Sequence, residues 1–497
     1  MNRQIHQVAV LVTMMFLALA VSVTSVQGFA RPAVWEAESS EGSLTTDWRN
    51  QRAAFAAFGA HRGQILVAGS PVASSQASDD VYSYQRVYSS GPLYAQVTGY
   101  SSPMRSELTG MEKSENGVLN GDDPSLFSSR VKALITGASQ EGGSVDLTIN
   151  AQAQQAASNA LGGRRGAVVA LDPSTGAVLA LVSSPSFDPN TLASHDANTV
   201  SAAWDQYSAD PGQPLVNRAT GGDLYPPGST FKILTTSAAL RAGKVTTSTS
   251  LDAPDSITLP GTSHSLFNYR GESCGNGTVT LSTAFAQSCN TPFAQLAMDV
   301  GDDGLAKEAE AWGFGTKDDF SLPVTASTYP ANSSAAETAM AGIGQQSVRV
   351  TPLQMAQVAA TVANDGKQMK PYLVARTLDA DLSVVSTTSP EVARTPIDAK
   401  TAETLTGLMQ EAVSSGTGTT AQVAGVQVAG KTGTAETGSD EGGPVTWFVG
   451  FAGTDINKPS IALAVVIDGG QQTSPTATGG SEAGPIAAAV IDAAVNQ

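Results

Sequence analysis

Apolar and polar residues alternate in strand-like and helix-like patterns from residue 145 onward. Residues 145–149 alternate between apolar and polar side chains, which predicts a strand, and the Ala/Gln-rich segment that follows to Leu161 predicts a helix. Residues 166–171 and 177–182 are apolar runs joined by Asp-Pro-Ser-Thr-Gly, which predicts a β-hairpin. This part of the chain therefore indicates a mixed sheet with helices.

Later segments continue the same pattern. The Ala-rich residues 352–363 predict a helix. The apolar residues 447–453 and 461–467 predict two neighbouring strands near the carboxyl end.

Residues 31–145 have a different composition. They are rich in Ser, Gly and Tyr, and contain short apolar runs at residues 64–67 and 94–97, which predict short strands joined by loops. The segment is expected to form a small β-rich module ahead of the larger region.

The amino terminus contains a candidate membrane anchor. Residues 8–26 contain no charged side chain, and a helix of that length spans about 28 Å, enough to cross a bilayer. Arg3 and the α-amino group precede it, so residues 1–7 are expected in the cytoplasm and the bulk of the chain outside. The alternative is a cleaved signal peptide, but residues 25–30 match a small-residue cleavage site poorly, which favours a retained anchor.

Composition excludes several classes of protein. A chain of 497 residues leaves room for two or three domains, and 41% hydrophobic with 14% charged residues is typical of a folded protein. The net charge of −17 repels polyanions, which argues against a nucleic-acid partner. Four histidines lie far apart and form no metal-ligand spacing, so no metal site is expected: His6, His61, His195 and His264.

The first candidate chemical motif is Ser229 with Lys232. Pro226, Pro227 and Gly228 disfavour helix before Ser229, and the apolar run after it predicts that a helix starts there. Lys232 then shares one face of the first turn, where a lysine kept neutral by desolvation can take the serine proton. The same spacing from Ser129 to Lys132 lacks the helix-start signals, and an ordinary helix start remains the alternative for Ser229.

The second and third motifs are Ser288-Cys289-Asn290 and a Lys-Thr-Gly-Thr segment. Ser288 and Asn290 can project a hydroxyl and an amide into one cleft, although the same spacing recurs at residues 114–116. The segment from Lys431 to Thr434 occurs once and is predicted to form an edge strand, with Lys431 and Gly433 facing one side. A glycine there lets a substrate backbone lie close for β-type pairing.

The order and spacing of the three motifs resemble the serine penicillin-recognising enzymes. The second motif begins 59 residues after Ser229, and the third begins 143 residues after Ser288. Further segments resemble class B penicillin-binding proteins in particular: residues 147–149, 166–176, 225–228, 344–346, 351–355 and 447–451. Residues 62–65 and 110–112 resemble motifs of that class's amino-terminal pedestal, although an acidic residue often seen after the first is missing. The short pedestal is most similar to actinobacterial A-type members of the class.

The resemblance implies an α/β (α+β) fold. A central, mainly antiparallel sheet is expected to be flanked by helices, with an all-helical subregion and the β-rich pedestal. The implied domains are a cytoplasmic tail, a transmembrane anchor, a dimerisation-like pedestal and a transpeptidase domain, over residues 1–7, 8–26, 31–145 and 146–497.

The resemblance also implies a D,D-transpeptidase that cross-links peptidoglycan stem peptides ending in D-Ala-D-Ala and is acylated by β-lactam antibiotics. Ser229 is implied as the nucleophile and Lys232 as its base. Ser288 is implied to relay the proton to the leaving nitrogen, and Asn290 to orient Lys232 and the substrate amide. Lys431 is implied to supply positive potential for the substrate carboxylate.

The remaining implied roles concern binding. Thr432 and Thr434 are implied to bond to the carboxylate with their hydroxyls, Gly433 completes this substrate-binding segment, and the N–H groups of Ser229 and Thr434 form an oxyanion hole. No metal or organic cofactor is implied. The family commonly works beside a membrane glycosyltransferase, which is the expected protein partner.

Two alternatives stay open from the sequence. A β-lactamase shares the three motifs, but the Glu-x-x-Leu-Asn loop of class A enzymes is absent between Asn290 and Lys431. A non-catalytic scaffold or a β-lactam sensor is the other alternative, and a sensor is expected to carry further membrane spans and a signalling domain.

Cys274 and Cys289 are the two cysteines of the chain. They are 15 residues apart, joined through a turn-like Gly-Asn-Gly, and expected in an oxidising compartment, so we predict a disulfide. The alternative is a buried apolar Cys289 and a separate loop thiol at Cys274.

Overall fold

The computed structural model describes residues 12–21, 58–127, 130–131, 135, 141–330, 332–436, 443–470 and 473–496. The chain divides into two compact units, one of residues 1–60 and 77–84, the other of residues 61–76 and 85–497. In the first unit, residues 12–21 form a helix with exposed apolar side chains. Within the described residues, no helix has both the length and the apolar character needed to cross a membrane. Residues 8–11 and 22–26 of the predicted anchor, and all of residues 1–7, lie outside the described residues, so the anchor stays a prediction.

Nineteen strands form in the described residues. They are β1 Ile65–Val67, β2 Ser70–Ala77, β3 Tyr84–Tyr88, β4 Ser101–Ser102, β5 Glu107–Leu108, β6 Ser144–Leu147, β7 Gly166–Leu171, β8 Val178–Ser184, β9 Ser250–Ala253, β10 Ser256–Thr258, β11 Ser265–Phe267, β12 Gly277–Thr280, β13 Gln368–Met369, β14 Val374–Leu378, β15 Val384–Thr387, β16 Val392–Arg394, β17 Gln427–Ala435, β18 Val445–Gly453 and β19 Ile461–Ile467.

The α-helices of the second unit alternate with these strands. They are α1 Gly91–Thr98, α2 Gly110–Ser114, α3 Asn116–Leu119, α4 Ala151–Leu161, α5 Pro189–Leu192, α6 Ala197–Ala209, α7 Lys232–Arg241, α8 Leu281–Ala286, α9 Thr291–Val300, α10 Asp302–Ala311, α11 Ala335–Gly342, α12 Pro352–Ala363, α13 Ala399–Ser414 and α14 Gly484–Val495. Short 3₁₀ turns form at Pro124–Leu126, Gly228–Phe231, Tyr269–Gly271 and Thr419–Ala421, and a π-helical turn at Gly479–Ala483.

The central sheet has five antiparallel strands in the order β17-β18-β19-β7-β8. Strands β7 and β19 inside this sheet are apolar throughout because both faces are covered. Val168 packs into one core with residues of α4 and α14, whereas its neighbour Val169 packs into another core with residues of α12. The sheet leaves β17 at its edge, as predicted for the Lys-Thr-Gly-Thr segment.

A second sheet joins the amino-terminal region to the rest of its unit. Its strand order is β15-β14-β6-β1-β2-β3, in which β1 pairs in parallel with β6 and β6 pairs antiparallel with β14. Because β6 runs from Ser144 to Leu147, it spans the predicted domain boundary at residues 145 and 146.

One predicted strand is wrong. Residues 94–97 lie in helix α1, which begins with Pro92 in its first turn and ends at Gly99 with a φ of 65°. Tyr94 and Val97 are both buried, and residues three apart share one face of a helix but lie on opposite faces of a strand. A run of four residues was too short to separate the two periods. The amino-terminal region therefore contains short helices beside its strands β1 to β6.

Other predictions are confirmed. Helices α4 and α12 end at Leu161 and Ala363 as predicted, and β7 and β19 have the predicted bounds. Helices α7 to α13 lie in the part of the chain between strand β8 and strand β17. The first motif lies at the start of α7, the second between α8 and α9, and the third on β17.

Candidate active site

Ser229 lies in a 3₁₀ turn that leads directly into helix α7 at Lys232. Gly228 starts the turn with a φ of 52°, a conformation that favours glycine, and its N–H donates to the Gly344 carbonyl at 2.9 Å. A Cβ on Gly228 would lie 2.7 Å from the Thr434 carbonyl oxygen, so this turn packs directly against β17. Ser229 is half-buried, and no other described residue forms a hydrogen bond with its hydroxyl.

Lys232 is buried below this turn and binds the second motif. Its Nζ donates to the Ser288 carbonyl at 2.8 Å, the Cys289 carbonyl at 2.8 Å and Asn290 Oδ1 at 2.9 Å. Burial lowers the pKa of Lys232 well below its usual value of 10.5, and the neighbouring charge of Lys431 lowers it further. Burial thus favours the neutral amine, which is the form that a base requires.

Lys431 approaches the same motif from β17. Its Nζ donates to Ser288 Oγ at 2.7 Å and to the Thr432 carbonyl at 3.1 Å. The side chain is fully buried, and burial lowers its pKa to about 7. Ser288 therefore contacts one lysine through its carbonyl and the other through its hydroxyl.

Ser288 itself has an uncommon backbone conformation. It lies between α8 and α9 with a φ of 62°, which a residue other than glycine adopts at a cost of about 1 kcal/mol or more. This conformation accompanies the orientation that directs the carbonyl to Lys232 and the hydroxyl to Lys431.

The alternation predicted for β17 is present. Gly433 lies against the nucleophile turn, since a Cβ there would be 2.7 Å from the Pro227 carbonyl. On the other face, Thr432 Oγ1 forms a hydrogen bond with Thr417 Oγ1, and Thr434 Oγ1 accepts from the Gly479 N–H at 3.2 Å. Both threonine hydroxyls thus already have protein partners.

Two residues of the site had no signal in the sequence. Thr417 contacts Thr432 from the loop after α13. Asn268 accepts from the Asn290 N–H at 2.9 Å. Both belong to loops, and neither forms part of a motif with the residue that it contacts.

Cys274 and Cys289 are joined by a disulfide, with their Cα atoms 6.2 Å apart. Because Cys289 lies between Ser288 and Asn290, the bridge connects the second motif to the segment that follows Phe267. Two loops that carry or support the site are therefore linked covalently.

A cavity of about 410 Å³ lies close to the nucleophile turn. Its lining includes Tyr225 and Pro226, which precede Ser229, and Glu436, which follows β17. The lining is polar and mixed in charge, with Arg165 and Arg349 on the positive side and Asp223, Glu436 and Asp468 on the negative side. Among the described residues, no three His, Cys, Asp or Glu side chains are grouped to hold a metal ion.

Comparisons with known proteins show the family to which the chain belongs. The profile of the penicillin binding protein transpeptidase domain matches residues 166–492, and that of the penicillin binding protein A dimerisation domain matches residues 62–145. The chain is 44% identical to peptidoglycan D,D-transpeptidase PbpA of Mycolicibacterium smegmatis and 41% identical to PbpA of Mycobacterium tuberculosis. The alignments cover 100% of this chain, and 100% and 99% of those relatives respectively.

Solved structures give the same result. The ceftriaxone acyl-enzyme of penicillin-binding protein A from M. tuberculosis superposes with a TM-score of 0.84 at 42% identity, covering 88% of this chain and 99% of that one. The penicillin G acyl-enzyme of that protein gives a TM-score of 0.82 at 43% identity, with the same shares covered. The chain belongs to the class B penicillin-binding proteins, within the group of penicillin-binding protein A.

Proposed function

We propose that this protein is a monofunctional peptidoglycan D,D-transpeptidase that acts through an acyl-serine intermediate. The observation that carries the proposal is the convergence of two buried lysines on Ser288. Lys232 binds its carbonyl and Lys431 its hydroxyl, directly beside the turn that carries Ser229. Two desolvated amines therefore meet at one residue next to the nucleophile, one held by its carbonyl and the other bonded to its hydroxyl, which can pass a proton.

Acylation begins when neutral Lys232 takes the proton of the Ser229 hydroxyl. Ser229 Oγ then attacks the carbonyl of the penultimate D-Ala, and the carbonyl oxygen gains negative charge. The N–H groups of Ser229 and Thr434 are assigned to stabilise that oxygen. The close packing of Gly228 on the Thr434 backbone supports this assignment, because it makes the turn that carries Ser229 and the Thr434 segment direct neighbours.

The leaving amine receives its proton through Ser288. Its Oγ accepts a hydrogen bond from Lys431 at 2.7 Å, so a proton passed from Ser288 to the leaving nitrogen is replaced from the Lys431 ammonium. The terminal D-Ala departs, and the acyl group on Ser229 is transferred to the amine of a neighbouring stem peptide.

Substrate binding is assigned to the edge strand β17. A peptide added along this edge gains main-chain hydrogen bonds, and the Lys431 ammonium attracts its terminal carboxylate. The hydroxyls of Thr432 and Thr434 are assigned to the same carboxylate, in exchange with their present partners Thr417 and Gly479. β-Lactam antibiotics occupy the same position and acylate Ser229.

We also propose the domain order and the location. Residues 1–7 are a cytoplasmic tail, residues 8–26 a membrane anchor, residues 31–145 a pedestal and residues 146–497 the transpeptidase domain outside the membrane. The two family matches on either side of residue 145 support the last boundary. A membrane glycosyltransferase is the proposed partner.

Covalent labelling by fluorescent penicillin tests the nucleophile. We expect the detergent-extracted protein to be labelled, and Ser229→Ala to abolish labelling. Ser129→Ala is the matched control, because it removes the serine of the other Ser-x-x-Lys sequence, outside the described residues, and is expected to label normally. Continued labelling of a folded Ser229→Ala protein contradicts the proposal.

A further inference from the structure

Helix α9 begins at a residue whose side chain does not cap it. Asn290 is the N-cap residue, and asparagine at this position normally accepts a hydrogen bond from an N–H of the first helical turn. Here the Asn290 amide is used elsewhere. Its Oδ1 accepts from Lys232 Nζ at 2.9 Å, and its Nδ2 donates to the Phe267 carbonyl at 3.1 Å.

The cap is supplied by Asn268, which lies 22 residues earlier. Its Oδ1 accepts from the N–H of Asn290 at 2.9 Å and from the N–H of Thr291 at 3.1 Å. The Thr291 hydroxyl lies 3.3 Å from the same oxygen. Asn268 is only 5% exposed, and Thr291 is fully buried, so water is not available to replace this acceptor.

We propose that Asn268 is a positioning residue for acyl transfer: by capping helix α9 from outside, it leaves the Asn290 side chain available to hold Lys232. This inference rests on the proposed function, because Lys232 matters here as the base. Phe267 and Asn268 together fix Asn290, the first through its side-chain amide and the second through its backbone N–H.

Without Asn268, the Asn290 side chain is expected to cap helix α9 itself. Two N–H groups at the start of α9 lose their acceptor, which costs about 1–3 kcal/mol for each group that stays buried. The ordinary capping conformation of Asn290 turns its Oδ1 toward the N–H of Phe293, since Pro292 has none. That conformation takes the amide oxygen away from Lys232.

The variants are expected to shift the pKa of Lys232 in opposite directions, which can be measured. An acceptor such as Asn290 Oδ1 stabilises the ammonium form, so its loss lowers the pKa of Lys232 further, whereas a carboxylate nearby raises it. Lys431 is the charged neighbour that affects Lys232, and the Phe293 ring lies 5.3 Å from its Nζ. Neither changes in the variants below.

The experiment measures the second-order rate constant of acylation by fluorescent penicillin from pH 5 to pH 9, on the full chain in detergent. For Asn268→Ala we expect the rate constant to fall about 10-fold to 100-fold. We also expect the acidic limb of the pH–rate profile, where the rate declines as Lys232 gains a proton, to move to lower pH. Asn268→Asp keeps an acceptor for both N–H groups, so we expect a rate within about 10-fold of the parent and an acidic limb moved to higher pH. Thr291→Val is the matched control, since it loosens the same contact without touching Asn290, and its limb is expected at the parent pH.

A second series separates positioning from general destabilisation. In the Asn290→Ala background, Asn268→Ala is expected to cause no further shift of the limb, because its effect passes through Asn290. An unshifted limb in both Asn268 variants, or a full additional effect in the Asn290→Ala background, overturns the inference. If Asn268→Ala does not fold, the limb of Asn268→Asp decides. Labelling of Ser229→Ala would instead overturn the proposed function, so the two failures are distinguishable.

Discussion

Replacing Lys431 with methionine tests the free-energy cost of burying a lysine in this site. Its ammonium has a pKa of about 7 in the folded protein and about 10.5 when unfolded. At pH 7 this difference disfavours folding by about 4 kcal/mol. Methionine has a similar length and no charge, but it loses the hydrogen bonds to Ser288 Oγ and the Thr432 carbonyl, at about 1 kcal/mol each. We therefore expect Lys431→Met to raise the free energy of unfolding by about 2 kcal/mol at pH 7 while abolishing acylation.

The pH dependence gives the sharper test. Between pH 7 and pH 10.5 the unfolded chain binds more protons at Lys431 than the folded protein, so stability conferred by the parent residue rises with pH. At pH 9 the free-energy cost of burying Lys431 falls to about 2 kcal/mol, which equals the loss of the two hydrogen bonds in the variant. The parent and Lys431→Met are therefore expected to be equally stable at pH 9. Urea unfolding followed by tryptophan fluorescence measures this, because buried Trp447 pairs with Gly433 across β17 and β18. A variant less stable than the parent at pH 7, or a difference unchanged at pH 9, refutes the reasoning.

The remaining predictions concern the pH dependence of acylation, the lifetime of the penicilloyl adduct, the backbone at Ser288 and the disulfide. For the free enzyme, acylation by penicillin is expected to decline above about pH 7 as Lys431 loses its charge. Lys431→Arg is expected to move this alkaline limb of the pH–rate profile to higher pH, because arginine keeps its charge. A limb that stays at the parent pH assigns the decline to another group. The penicilloyl adduct is expected to stay intact in mass spectra well after free drug is removed, whereas rapid turnover of penicillin would favour a β-lactamase. Ser288→Gly and Ser288→Ala both remove the hydroxyl, but glycine is expected to be more stable by about 1 kcal/mol because φ is positive, and thermal unfolding that ranks alanine higher contradicts this. Thiol titration of the unreduced, denatured chain is expected to find no free thiol, while two thiols per chain would exclude the bridge between Cys274 and Cys289.

Local sequence accounts for the parts of the fold in which neighbouring residues determine the conformation. Pro226, Pro227 and Gly228 fix the turn that carries Ser229, and the apolar period of residues 352–363 fixes helix α12. The alternation along β17 separates Lys431 from Thr432 for the same reason, because successive strand residues point to opposite faces. Where the pattern is short, it fails, and residues 94–97 form a helix instead of a strand.

Tertiary structure alone decided how the site works. Lys232 and Lys431 are distant in sequence, and only the packing of α7, β17 and the loop before α9 brings both to Ser288. Their lowered pKa values follow from burial, which no local motif encodes, because desolvation depends on every element packed around the amine. Asn268 shows the same limit: its function comes from the two N–H groups at the start of a helix that begins 23 residues later.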